Sequence, residues 1–167
     1  TGNTALYSKS IITYFIELPI TQIGSNIKQI LEKKVIKLYE GKCQEDGYIR
    51  PGSVKLISHS NAELRGANAK FTVIIECFIC SPSEGTIINC VAKNITKAGI
   101  RAETDDEISP VVIFVARDHH FTSRYFSSIK EGQTIDISVL GKRFELNDTY
   151  ISIIGKLIEP KYKQHGK

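Results

Sequence analysis

A chain of 167 residues with a net charge of +4, spread over both of its halves, has the length for one or two small domains with their own cores. So mild a charge excludes a polybasic nucleic-acid arm; it permits RNA binding without arguing for it. No apolar run approaches the roughly 20 residues that a membrane-spanning helix needs, and four cysteines without a secretory signal point to free thiols in a reducing compartment.

The opening TGNTALYSKS has the character of neither a signal nor a transit peptide, and Thr1 to Asn3 read as a remnant or trimmed end outside the fold. From Leu6 to Leu18 the β-branched and aromatic residues Ile11, Ile12, Thr13, Tyr14, Phe15 and Ile16 predict a strand, ended by Pro19. Thr21 is the expected N-cap of a helix whose stripe is Ile23, Ile27, Ile30, Leu31, Val35 and Leu38. Lys28, Lys33 and Lys37 lie off that stripe, which reads as a core face, and Gly41 stops the helix. Short pieces follow: KCQ, then GYI after the Asp46-Gly47 turn, then Val54 to Ser58 after Pro51-Gly52. Asn61 to Asn68 reads as a polar loop and Phe71 to Cys80 as a long apolar strand. Cys77 and Cys80 form a C-x-x-C, but a spacing of three within a strand turns them to opposite faces. With no second pair, they are expected to be buried structural thiols, not zinc ligands.

Ser81-Pro82-Ser83 is a kink, not a linker, so the two halves are expected to share an interface. Beyond it, Glu84 to Glu103 organises the second half: an apolar-rich strand through Ile87, Ile88, Val91 and Ile95, a reversal at Thr96-Lys97-Ala98-Gly99, and a return through Ile100 and Ala102. Thr104 to Glu107 is an acidic, solvated turn. Further strands are expected at Val111 to Val115, Thr134 to Phe144 and Tyr150 to Leu157, with a polar-aromatic insert, Arg117 to Phe126, between the third and fourth. Five strands with one such insert are the plan of a small OB-type barrel. The tail KYKQHGK is basic and reads as frayed.

Three blocks in this order carry a family resemblance. Tyr39-Glu40-Gly41-Lys42-Cys43 precedes Asp46-Gly47-Tyr48-Ile49. Phe71 to Glu103 is a long strand, a Glu-Gly, and a strand ending in a Lys-x-Gly turn. Asp136 to Leu157 carries Val139-Leu140-Gly141-Lys142-Arg143 and Asn147-Asp148 ahead of the closing strand. Together, over most of residues 6 to 158, the chain resembles the seventh subunit of eukaryotic RNA polymerase II and its archaeal counterpart. Its Ile- and Lys-rich wording is similar to versions from large DNA viruses.

The resemblance implies an α+β chain in two domains. Residues 4–83 would be an N-terminal tip domain, one helix on a small antiparallel sheet, that docks on the polymerase. Residues 84–160 would be a five-stranded OB-fold barrel of the ribosomal S-one type, followed by a basic tail, 161–167. It further implies a non-catalytic stalk subunit that stabilises the open complex and guides nascent single-stranded RNA. Its partners would be the large subunits of the polymerase core and a fourth-subunit-like stalk protein, with no cofactor, metal or membrane. The compartment would be the nucleus or, for a viral version, the cytoplasmic virus factory and virion.

Two sets of site residues follow. Gly47, Tyr48 and Ile49, with Lys42 and Asp46 beside them, are expected to project from a turn as a docking anchor, against the alternative that they fold back on their own sheet. For RNA, the candidates are Lys93, Lys97 and Arg101 on the hairpin, Arg117, His119, His120, Phe121, Arg124 and Tyr125 in the insert, and Lys142 and Arg143 on the fourth strand. The hairpin carries Gly99-Ile100-Arg101 where many such domains have a Gly-Phe or nearby aromatic, so binding is expected to be weak, salt-sensitive and indifferent to sequence. An enzyme built on Asp118-His119-His120 lacks the spacing of an acid/base or nucleophile site. A free-standing OB-fold RNA-binding protein of RNA decay or translation is the alternative function; the helix and tip block argue against it.

Overall fold

The structure, a computed structural model, describes residues 6–161. The chain forms two compact units, one built on the residues up to Ser81 with Glu145–Thr149, the other on Pro82–Phe144 and the residues from Tyr150 onward.

In the first unit, strands β1 (Tyr7–Pro19), β2 (Cys43–Gln44), β3 (Gly47–Ile49), β4 (Lys55–His59), β5 (Glu63–Arg65) and β6 (Asn68–Cys80) make one antiparallel sheet. β6 is its spine: β1 pairs with one side along its whole length, and β3, β4 and β5 pair with segments of the other. The reason is legible in the strand itself. Ala69, Phe71, Val73, Ile75, Cys77 and Ile79 occupy every second position and are all buried, giving one continuous apolar face. Helix α1 (Ile27–Tyr39) covers that face with Leu31 and Val35. Burying a side chain of this size is worth about 1.5–3 kcal/mol, so Leu31 alone contributes substantially to holding helix on sheet.

Two expectations need correction here. Thr21 does not cap the helix. Residues Ile20–Gln22 form a 3-10 turn, and α1 starts only after Gly24 and Ser25, with Asn26 at its N-cap making no side-chain bond. The stretch Asn61 to Asn68 is not a loop: Glu63–Arg65 pairs with β6 around a Gly66-Ala67 reversal, Gly66 taking a φ of +59°.

In the second unit, β7 (Ile87–Ile95), β8 (Gly99–Glu103), β9 (Val111–Ala116), β10 (Thr134–Arg143) and β11 (Ile151–Ile158) close into a barrel in the order β7-β8-β9-β11-β10 and back to β7. Every pairing is antiparallel except β9 with β11. A five-stranded closed barrel with this crossover is OB-like. Its interior is aliphatic, with Ile88, Ile100, Ile113, Ile135, Ile137 and Ile153 all buried. Gly155 faces the same interior, where an added Cβ would stand 3.0 Å from Ile137 and 3.1 Å from Ile113, leaving no room for a side chain. The insert after β9 forms a 3-10 turn, Arg117–His119, and helix α2 (Arg124–Ser128), whose Phe126 is buried. No helix among the described residues is long and apolar enough to cross a membrane.

Candidate nucleic-acid interface

At one end of the barrel the β7–β8 hairpin and the insert are tied together by Arg117. Its backbone N–H donates to the Ala98 carbonyl at 3.0 Å. Its Nε and Nη2 donate to the carbonyls of Lys97 and Thr96 at 3.0 and 3.1 Å, and its guanidinium lies 5.1 Å from the centre of the Phe126 ring. One arginine thus satisfies three hairpin carbonyls and packs on the insert's buried aromatic. Gly99 makes this fit possible, since a Cβ there would collide with the Val115 carbonyl oxygen. Arg117, half-buried, is thus engaged with its own chain.

His120 is taken out of the candidate set. It is 8% exposed, its ring stacks on Phe126 with centroids 5.2 Å apart, and both nitrogens meet backbone. Nε2 accepts the Leu157 N–H at 3.0 Å and Nδ1 stands 2.8 Å from the Ala116 carbonyl. Because Nε2 accepts, the ring proton sits on Nδ1 and donates to Ala116. The same bonds bear on the acid/base alternative: neither His120 nitrogen is free to move a proton, and the His119 ring stands 6.5 Å away at a 54° tilt.

What remains outward is a mixed surface. Lys93, Lys97, His119 and Arg124 are exposed, Tyr125 is half-buried, and Phe121 stands 82% exposed at the head of the α2 segment. Arg101 is exposed on β8, contacting Asn94 Oδ1 at 3.5 Å and Glu103 at 3.4 Å. Opposite it in register is Phe114 on β9, half-buried on the barrel's outer face, with Ile154 of β11 beyond it. Phe114 is a surface residue that the sequence-based set omits, although the alternation of Val111, Ile113 and Val115 inward puts it outward. Lys142 and Arg143 lie on β10, two strands away from β9; Lys142 is in register through Ile153 with Ile113, the neighbour of the Phe114 that faces Arg101. Arg143 pairs with Ser152, and Ser152 with Val112, at the start of β9, whereas Gly99 of the hairpin pairs with Ala116 at its end. Val112 and Ala116 are four residues apart, about 13 Å along β9, and Phe114, which faces Arg101, lies midway between them. Glu103, which Arg101 contacts, pairs with Val112, and beyond it Thr104 Oγ1 bonds to Asp106 and to Ser109.

The block read as a docking anchor folds differently from expectation. Tyr48 and Ile49 are 1% and 0% exposed. They do not project but fold into their own unit, Tyr48 pairing with Cys43 on one side and Cys80 on the other. Gly47 is buried as well: it takes φ +134°, and a Cβ would meet the Cys80 carbonyl oxygen. The cause is the centrality of β6, which recruits β3 as a paired strand and leaves the turn before it, Glu45 and Asp46, as the exposed part; Lys42 is half-buried. The segment Glu145–Thr149 secures this block, the Cys43 N–H donating to the Asp148 carbonyl at 2.7 Å and the Asn147 N–H to the Cys43 carbonyl at 2.8 Å. Asn147 takes φ +70° to do so. In the sequence Asn147-Asp148 reads only as a turn.

All four cysteines are buried and none forms a disulfide among the described residues. Burial pushes the thiols up, to about 11 for Cys77 and Cys43 and about 12 for Cys90. Among the described residues no three His, Cys, Asp or Glu side chains are grouped to hold a metal ion.

Compared with known proteins, the chain is 23% identical over 158 residues to a protein of Acanthamoeba polyphaga mimivirus assigned as a DNA-directed RNA polymerase subunit, covering 85% of this chain and 76% of that protein. No protein-family model matches the chain.

Proposed function

We propose that this chain is a non-catalytic stalk subunit of a multisubunit DNA-directed RNA polymerase, of the seventh-subunit type, in a large DNA virus. The observation that carries the reading is a similarity to a viral polymerase subunit that extends over 85% of the chain. It is supported by the order of the three sequence blocks and by a unit with one helix on a sheet followed by a closed OB-like barrel. The first unit is the docking domain, with Lys42, Glu45 and Asp46 as its accessible contacts. The barrel is the RNA-facing domain, its contact surface formed by Lys93, Lys97, Arg101, Phe114, His119, Phe121, Arg124 and Tyr125. RNA binding there is weak and indifferent to sequence, because one exposed aromatic and scattered cations give stacking and phosphate contacts without base readout. Its partners are the polymerase large subunits, a fourth-subunit-like stalk protein and nascent RNA, and its site of action is the cytoplasmic virus factory.

The test is affinity purification of the chain from its native source under a high-salt wash, with co-purifying proteins identified by mass. Recovery of the large polymerase subunits is expected. Recovery of RNA alone, or of ribosomal or nuclease components, would replace this reading with a free-standing OB-fold RNA-binding protein.

A further inference from the structure

Helix α1 carries Lys28, Lys33, Lys34 and Lys37, and the two carboxylates on or beside it are spent elsewhere. Glu32 accepts the Leu56 N–H at 3.0 Å. Glu40, at the helix C-cap, accepts the N–H groups of Gly52 and Val54 at 3.0 and 3.1 Å. Among the described residues none of the four lysines has a carboxylate within ion-pair distance. Lys33 and Lys37 are moreover like charges at i, i+4, a spacing that weakens a helix instead of supporting it. None of the four ammonium groups is tied up in an ion pair among the described residues, so they are open to a partner.

Its geometry narrows what that is. Ile30, Lys33, Lys34 and Lys37 fall at i, i+3, i+4 and i+7, one stripe of the helix. With Leu18 of β1 and Gln22 of the 3-10 turn they line a groove of about 280 Å³. Leu18, 2% exposed, closes its base, the half-buried Ile30 is its accessible aliphatic contact, and three lysines line it. Glu17 supplies no countercharge, because it alternates with Leu18 to the strand's other face. A groove just below the roughly 300 Å³ of the smallest ligand pockets takes an anchoring side chain, not a whole small molecule.

We infer that this groove is a docking site for an acidic segment of a partner protein, one that sets an aliphatic or aromatic side chain against Ile30 while its carboxylates meet Lys33, Lys34 and Lys37. Nucleic acid fits less well. None of the lining residues is aromatic, so no base finds a stacking platform, and none is an arginine that would fork onto a phosphate. The groove shares no residue with the RNA-facing set or with the Lys42–Ile49 block, and it stands whether or not the polymerase reading does.

The experiment pans a random dodecapeptide display library against the full chain and against Lys33→Glu/Lys37→Glu. Selected peptides are then synthesised and titrated by fluorescence polarisation. The wild type is expected to enrich peptides that combine Asp or Glu with Leu, Ile or Phe, and the double variant to bind them at least about tenfold more weakly. Ile30→Ser, with the charges intact and folding checked by circular dichroism, is expected to weaken the same peptides. Three results would overturn the inference: enrichment without acidic bias, polyglutamate of equal charge binding as tightly, or labelled oligouridine RNA losing affinity for the double variant in the same proportion as the peptides.

Discussion

His120 Nε2 accepts the backbone N–H of Leu157 across 3.0 Å, joining the insert to the last barrel strand. Removing that acceptor leaves a buried amide without a partner, which costs about 1–3 kcal/mol. His120→Phe keeps a flat ring against Phe126 and deletes both hydrogen bonds, so it isolates that term. Its urea unfolding free energy is expected to fall by this amount, and that of His120→Ala by more. An unchanged stability with a lost RNA affinity would reverse the assignment and return His120 to the binding surface.

Arg117 makes a second test of structure against RNA binding. Arg117→Lys keeps the charge but has no fork to meet both the Lys97 and Thr96 carbonyls. Amide exchange in the β7–β8 hairpin is expected to accelerate in Arg117→Lys, and further in Arg117→Ala, with a stability loss of about 1–2 kcal/mol. If the charge alone mattered, Arg117→Lys would match the wild type in exchange and in RNA binding.

Phe121 and the exposed cations are where RNA affinity is expected to reside. Phe121→Ala removes a stacking surface worth about 1–3 kcal/mol per base and touches nothing buried. Lys93→Glu with Lys97→Glu is expected to flatten the salt dependence, by about 0.7 in slope for each phosphate of a single strand that is no longer neutralised. Lys142→Glu, on β10 two strands from β9, is expected to have a smaller effect. Filter binding of oligouridine and oligoadenosine at several salt concentrations reads all three effects, and a strong preference between the two RNAs would contradict a surface without base readout.

The barrel and the spine strand are legible in the sequence because their signal is local composition between turn residues. In sequence the spine strand and β9 are β-branched and aromatic runs bounded by turn residues, while β10 and β11 come nearer to alternation; along β6 burial alternates strictly from Ala69 to Ile79, although Ile74 and Phe78 are apolar too. What escapes is set by partners distant in sequence. Tyr48 looks like an exposed anchor beside an Asp-Gly turn until Cys80, 32 positions later, is seen to pair with it. Glu63–Arg65 is polar enough to read as loop, yet backbone pairing to β6 makes it a strand. Arg117 and His120 carry the residue types of a nucleic-acid surface; only the carbonyls of Thr96 and Lys97 and the amide of Leu157 reveal that they hold the barrel end together.

The buried thiols predict a pH response with a definite sign. Folding holds Cys77 and Cys90 protonated up to about 11 and 12, against 9.0 ordinarily. Above pH 9 the unfolded chain sheds these protons while the folded chain keeps them, so the unfolded state binds fewer protons and stability falls as pH rises. Unfolding free energy is expected to be insensitive to the cysteines below about pH 9 and to decline from there toward pH 11–12. Cys90→Ala would shed its share of that slope. In parallel, a thiol-reactive disulfide reagent at pH 8 is expected to label none of the four cysteines until denaturant is added.

The docking block gives the sharpest separation of folding from function. A charge placed at Tyr48 enters a site that is 1% exposed, and Gly47→Ala drives a methyl group into the Cys80 carbonyl. Both Tyr48→Asp and Gly47→Ala are therefore expected to destabilise the first unit, lowering its melting temperature, so loss of polymerase from either variant would say nothing about docking. Glu45→Lys with Asp46→Lys changes only the exposed turn, where surface substitutions stay within about 0.5 kcal/mol of the wild type. That pair is expected to melt like the parent and to release the large polymerase subunits in the high-salt purification. Retention of those subunits by a folded Glu45→Lys/Asp46→Lys chain would move the docking contact off this turn, and the exposed face of α1 would be the next surface to change.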